Sequence, residues 1–139
     1  MSYLPDEFEV VFPTAASQAF WDACNDQRLA FQQCTACRTF RHPPGPLCHA
    51  CQSDDYAWTE VSGDGTLFSW TVVTHPVHPS LAERVPFNVA LVEFADAPGV
   101  RLISNVVDAA PEELTAGMPL RLHWDKGSNG QLLPRFVKA

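Results

Sequence analysis

Four of the five cysteines in this 139-residue chain fall in two Cys-x-x-Cys pairs, Cys34/Cys37 and Cys48/Cys51, separated by ten residues. A two-residue gap lets a tight turn aim both sulfurs at one point, and the intervening loop lets a second turn close a tetrahedron from the opposite side. That is the spacing of a zinc ribbon. Zn²⁺ held by four thiolates has no vacancy for water or substrate, so such an ion is expected to hold the fold rather than act as a Lewis acid. Iron in a tetrathiolate centre and disulfides remain alternatives, although the iron knuckles are usually followed by glycine and Arg38 and Gln52 stand here. His42 and His49 flank the pairs and could each replace a thiolate. Cys24, the fifth cysteine, reads as a small buried hydrophobe, because no activating partner can be identified beside it.

The charge distribution restricts the function classes. The formal net charge is −7, and residues 1–27 contain Asp6, Glu7, Glu9, Asp22 and Asp26 with no lysine or arginine. A nonspecific nucleic-acid binder depends on a basic surface that releases counterions, so bulk acidity argues against that class. The 46% apolar fraction supports a packed core, while no apolar run is long enough to span a bilayer. Residues 1–12 lack the apolar run of a secretory leader, so reduced thiols and a soluble, cytoplasmic protein are expected.

The elements that must position the cysteines follow in order. Residues 1–12, with Pro5 and no clear period, read as an arm. Pro13-Thr14 opens a predicted helix over residues 15–28, with Thr14 as its cap and Phe20, Trp21 and Cys24 on one narrow face. That aromatic face has two readings, packing on the rest of the chain or docking to another protein. Residues 29–33 lead into the first knuckle and residues 38–42 return from it. Pro43, Pro44 and Pro46 make the connection to the second knuckle stiff, and residues 56–61 add a last ribbon strand. Three units are expected, an arm with helix at 1–28, a ribbon at 29–61 and a barrel at 62–139.

From Gly65 onward the pattern is all-β. Strands are predicted over residues 65–74, 87–94, 100–107, 120–124 and 131–137, rich in β-branched and aromatic residues and punctuated by glycine, proline and aspartate. Pro111-Glu112-Glu113-Leu114, with Gly117 beyond it, predicts a short helix between the third and fourth of these strands. Three strands, a short helix and two strands is the order of the five-stranded OB-fold barrel. The expected class is therefore mainly β: an N-terminal helix, a zinc ribbon and an OB-fold.

Both halves together resemble acyl-CoA-associated proteins that join a rubredoxin-like zinc ribbon to an OB-fold. The resemblance rests on the helix with Phe20-Trp21, the two knuckles, Pro43-Pro44-Gly45-Pro46-Leu47-Cys48, Gly63-Asp64-Gly65-Thr66 and the loop at 75–86. It extends to Pro111-Glu112-Glu113-Leu114 with Gly117-Met118-Pro119, and to Pro134-Arg135-Phe136. It implies structural Zn²⁺ on Cys34, Cys37, Cys48 and Cys51. It also implies an accessory role beside a thiolase-like or lipid-transfer-protein-like large subunit, such as a thiolase, an acyltransferase or an aldolase of steroid side-chain breakdown. Acyl-CoA would be a shared ligand, and the catalytic residues would belong to the larger partner. No glycine-rich phosphate loop, Gly-x-Ser-x-Gly or His-Glu-x-x-His motif occurs in the chain, and no catalytic residue is assigned.

Residues 75–86 form a long connection for a small barrel and hence a functional candidate. His75 and His78 could pair on a metal or be ordinary loop histidines. Arg84 and Arg135 are candidate CoA-phosphate contacts, because guanidinium binds phosphate through two parallel hydrogen bonds. Phe20 and Trp21 are candidates for a partner interface. A rival from another class is an OB-fold that stacks single-stranded nucleic acid on Phe68, Trp70, Phe87 and Trp124. A self-contained hydrolase or transferase is a third possibility.

Overall fold

The computed structural model describes residues 2–139. One α-helix, α1 (Gln18–Asn25), precedes eight strands: β1 (Leu29–Cys34), β2 (Phe40–Arg41), β3 (Tyr56–Val61), β4 (Gly65–Val73), β5 (Phe87–Glu93), β6 (Arg101–Ser104), β7 (Pro119–Lys126) and β8 (Leu132–Lys138). The fold is thus mainly β with one helix at its N-terminal side, as expected. Among the described residues, no helix is long and apolar enough to cross a membrane.

The helix is shorter than the predicted span, and local hydrogen bonding gives the reason. Thr14 closes a separate turn, its carbonyl accepting from the N–H groups of Ser17 and Gln18 at 3.1 and 2.9 Å, so the helix proper starts four residues later. At the other end Gln27 takes φ 58°, and Arg28 N–H reaches back to the Ala23 carbonyl at 2.9 Å while Gln27 N–H reaches Cys24 at 2.8 Å. This is a Schellman cap built on glutamine where glycine is usual.

Two antiparallel sheets follow. The first has the order β2-β1-β3, with β1 pairing β3 from Leu29↔Val61 to Cys34↔Tyr56. The second has the order β6-β5-β4-β7-β8. β4 pairs β7 only through Gly65 and Thr66 and pairs β5 along most of its length, with a register shift at Phe68 that helps the strand curl. The ends of the curled sheet meet where Val106 bridges Phe136 in parallel, Val107 N–H donates to Phe136 O at 2.8 Å and Ser104 Oγ–H to Pro134 O at 2.7 Å. That closure and strand order are those of an OB-fold. The predicted helix between β6 and β7 is a single 3₁₀ turn, Pro111–Glu113, and buried Leu114 follows it.

One hydrophobic cluster runs through both sheets and the helix. Phe31 on β1 is fully buried, with ring centroids 6.2 Å from Phe20 of α1 and 5.4 Å from Phe94 just after β5, and Phe94 lies 5.9 Å from Phe136 of β8. The ribbon and the barrel therefore share a core, and Phe31 is the side chain that joins them. The arm at 2–12 is also fastened: Ser2 and Glu9 are buried, and the segment contains the 3₁₀ turn Asp6–Phe8.

Candidate functional site

The four predicted cysteines converge. Cys34 ends β1 and Cys37 follows its turn, while Cys48 and Cys51 lie in the connection between β2 and β3. Their sulfurs all lie within 4.8 Å of one another, with Cys34 Sγ 3.6 Å from Cys51 and Cys37 Sγ 3.5 Å from Cys48. A tetrahedral ion with metal–sulfur bonds of about 2.3 Å needs sulfur–sulfur edges of about 3.8 Å. The donor set therefore fits Zn²⁺. Among the described residues all five cysteines are free thiols.

The two knuckles are near copies. Arg38 N–H donates to Cys34 O at 2.9 Å and Cys34 N–H to Thr39 O at 2.9 Å; Gln52 N–H donates to Cys48 O at 2.8 Å and Cys48 N–H to Ser53 O at 2.9 Å. Arg38 and Gln52 occupy the left-handed region at φ 68° and 65°, the conformation that favours glycine at these positions. The N–H groups of Cys37 and Ala50 point at the Cys34 and Cys48 sulfurs at 3.5 and 3.4 Å, and backbone donors of this kind hold both thiols below their ordinary pKa. The thiolate is thereby favoured at Cys34 and Cys48 before any metal arrives, whereas at Cys51 the Ser53 N–H is outweighed by the neighbouring sulfurs, which push the thiol up to about 12.

Neither flanking histidine joins the four sulfurs. His49 is exposed. His42 packs against Phe20 and Phe31 at 5.1 and 5.3 Å, and burial pushes its pKa down to about 4. Cys24 is fully buried, which pushes its thiol up to about 12 and leaves it without reactivity near neutral pH. His75 and His78 do not form a metal cluster among the described residues. His78 instead caps the 3₁₀ turn Pro79–Leu81, accepting from Ser80 N–H at 3.2 Å, and stands 3.6 Å from Glu7.

Of the two aromatic residues on α1, Phe20 is 3% exposed and belongs to the core, and its remaining surface lines the same cavity as Trp21. Its bulk is needed to cover Phe31, which the ribbon alone cannot bury. Trp21 is half-buried and lines a cavity of about 320 Å³ together with Pro43, Pro44, Ile103, Leu133 and Pro134. Helix, ribbon and barrel all contribute to that cavity, so no local sequence pattern announces it. The proposed stacking residues are differently employed: Trp70 and Trp124 pack against the core, and the Arg101 guanidinium lies 3.8 Å over the Phe68 ring.

Arg84 and Arg135, far apart in sequence, both face the N-terminal arm. Arg84 Nη1 donates to the carbonyls of Ser2 and Tyr3 at 3.0 and 2.9 Å. Arg135 Nη2 pairs with Glu9 Oε2 at 2.5 Å, and Arg135 Nε lies 3.7 Å from Asp125 Oδ2. Tyr3 completes the seam: its N–H donates to Asp125 Oδ2 at 3.0 Å, and its hydroxyl accepts from Asn88 N–H and Nδ2 at 3.1 Å each. Sequence reasoning missed Tyr3, Glu9, Asn88 and Asp125. An acidic arm is a solvated feature by default, and nothing near Glu9 in sequence signals a buried cation to receive it.

Comparison with known proteins matches both halves. A model of the ChsH2 rubredoxin-like zinc ribbon domain matches residues 21–57, and a model of the ChsH2 C-terminal OB-fold domain matches residues 58–125. The chain is 43% identical over 122 residues to a probable enoyl-CoA hydratase alpha subunit of Thermomonospora curvata, an alignment covering 87% of this chain and 37% of that protein. It is 33% identical over 125 residues to the 3-oxo-4,17-pregnadiene-20-carboxyl-CoA hydratase alpha subunit of Mycobacterium tuberculosis, covering 86% and 39%. The chain thus spans less than half the length of these two relatives. A solved Ltp2-ChsH2(DUF35) aldolase contains a chain that superposes with a TM-score of 0.82 at 36% identity, covering 93% of this chain and 98% of that one. With its paired cysteine knuckles, its closed five-stranded sheet and these matches in one order, the chain belongs to the ChsH2 family of zinc-ribbon OB-fold proteins.

Proposed function

We propose that this chain is a non-catalytic accessory subunit that binds a thiolase-like partner of the lipid-transfer-protein type and helps form its acyl-CoA site. The complex would make or break a carbon–carbon bond of an acyl-CoA, as in steroid or aromatic side-chain degradation. The observation that carries this reading is the nearly end-to-end superposition on the ChsH2 chain of an aldolase. The chemistry of the donor set supports it: Cys34, Cys37, Cys48 and Cys51 would hold Zn²⁺ with all four positions filled by protein, so the ion supplies folding energy. Trp21 and the apolar cavity beside it are the surface we assign to the partner. Arg84 and Arg135 are the side chains we assign to CoA phosphates.

Affinity capture of the tagged chain from its native host, followed by mass spectrometry, should recover a thiolase-like large subunit. Acyl-CoA turnover should require both subunits, and Arg84→Ala should raise the complex's KM for acyl-CoA several-fold with little change in kcat. Full turnover by the purified chain alone would refute the accessory role, and an unchanged KM would remove Arg84 from the phosphate site.

A further inference from the structure

We propose that the cleft between the loops at residues 74–86 and 127–131 is an anion-binding site that the chain fills with its own N-terminal arm, Glu9 standing where a ligand's phosphate would bind. This rests on reading Arg84 and Arg135 as phosphate contacts and adds that the arm controls them. The two loops join the first to the second and the fourth to the fifth barrel strand, and these are the loops with which OB-folds commonly hold ligands.

The arm occupies that cleft as a ligand would. The first loop contributes Arg84, bonded to the arm's Ser2 and Tyr3 carbonyls, and His78, set edge-on to Phe8 at 5.5 Å. From the second, Ser128 Oγ–H donates to Asp6 O at 3.3 Å, and Gly127 lies so close that a Cβ there would collide with Glu9 O. The Glu9 side chain is 1% exposed, its Oε1 accepting from Leu4 N–H at 2.8 Å and its Oε2 paired with Arg135. The Arg135 guanidinium and the Leu4 N–H together offset the cost of burying this carboxylate. Exchange for a phosphate leaves Arg135 paired throughout and returns Glu9 to water, so only the arm's remaining contacts oppose it. Asp125 bounds the site on the Nε side of Arg135 and confines an incoming anion to the Nη side that Glu9 vacates. The arm, carrying Asp6, Glu7 and Glu9, is thus a displaceable strap on a cationic cleft.

Gly127→Ala tests this on the full-length chain. Gly127 does not adopt a left-handed φ, so its own backbone tolerates alanine, and the added methyl collides with the arm. Glu9→Gln removes the competing charge from the other side. The probe is adenosine 3′,5′-bisphosphate, the phosphorylated nucleotide end of CoA, titrated by calorimetry, with hydrogen exchange of residues 2–12 followed in parallel. Both variants should bind it at least about tenfold more tightly than the parent chain. Amide exchange at Tyr3 and Leu4 should accelerate in Gly127→Ala, and adding Arg135→Met to either variant should abolish the gain. Equal affinity in parent and variants overturns the strap while leaving the phosphate contacts standing. Absence of binding in a variant whose arm exchanges freely overturns the phosphate contacts themselves, and unaltered exchange in Gly127→Ala overturns the close approach on which the strap depends.

Discussion

Removing the metal should unfold the barrel as well as the ribbon. The ribbon and helix place Phe20, Leu29, Phe31, Phe40 and Val61 in the same cluster as Leu67, Val92, Phe94 and Phe136 of the barrel. Burying one such side chain is worth about 1.5–3 kcal/mol, so the five together contribute roughly 8–15 kcal/mol. A domain of this size is stable by only about 5–15 kcal/mol in total. A ribbon that loses its ion loses a binding free energy of about 10–16 kcal/mol in the best-studied small zinc modules and cannot hold those side chains in place. Chelation should therefore convert the thermal transition from one cooperative step at high temperature to a largely unfolded chain at ambient temperature. Circular dichroism would report the ribbon and barrel strands together, and tryptophan fluorescence in a Trp21→Phe, Trp58→Phe background would report Trp70 and Trp124 in the barrel. Elemental analysis should find about one zinc per chain before chelation, from the one four-cysteine cluster among the described residues. A barrel transition that persists at its original temperature in metal-free protein would refute the shared-core reasoning, and a chain purified with no bound metal would refute the site.

His42 should make the fold acid-sensitive. Its folded pKa of about 4 lies below the ordinary value of 6.5 because of burial, so the unfolded chain binds the proton first as pH falls. The resulting stability is fully present above pH 6.5 and declines by about 3 kcal/mol as pH approaches 4. Denaturant titrations across that window should show a flatter dependence in His42→Phe than in the parent chain. The left-handed positions predict gains: Gln27→Gly, Arg38→Gly and Gln52→Gly should each raise stability by about 0.5–1 kcal/mol, since strain relief exceeds glycine's added chain entropy. An unchanged urea midpoint in all three would count against strain at these turns.

Much of this architecture is legible locally. The paired cysteines could be read because a knuckle is closed by backbone bonds within six residues, as Cys34 N–H to Thr39 O shows. The strands could be read because β5, FNVALVE, buries every second side chain. Local reading failed at the helix start, where Thr14 closes its own turn, and it left Phe20 open between packing and docking, because its burial depended on how closely the rest of the chain approached the helix. It failed most on the arm, since the cation that receives Glu9 lies on the last strand.

The residues alone determined that four thiolates would meet and that five strands would follow, because both outcomes depend on short-range spacing and alternation. Tertiary structure alone decided that ribbon and barrel share one core through Phe31, that Trp21 borders a cavity and that the arm covers two arginines. Each of those depends on which surfaces exclude water from one another, and a charge such as Glu9 becomes an interior group only when folding brings its counterion within hydrogen-bonding distance.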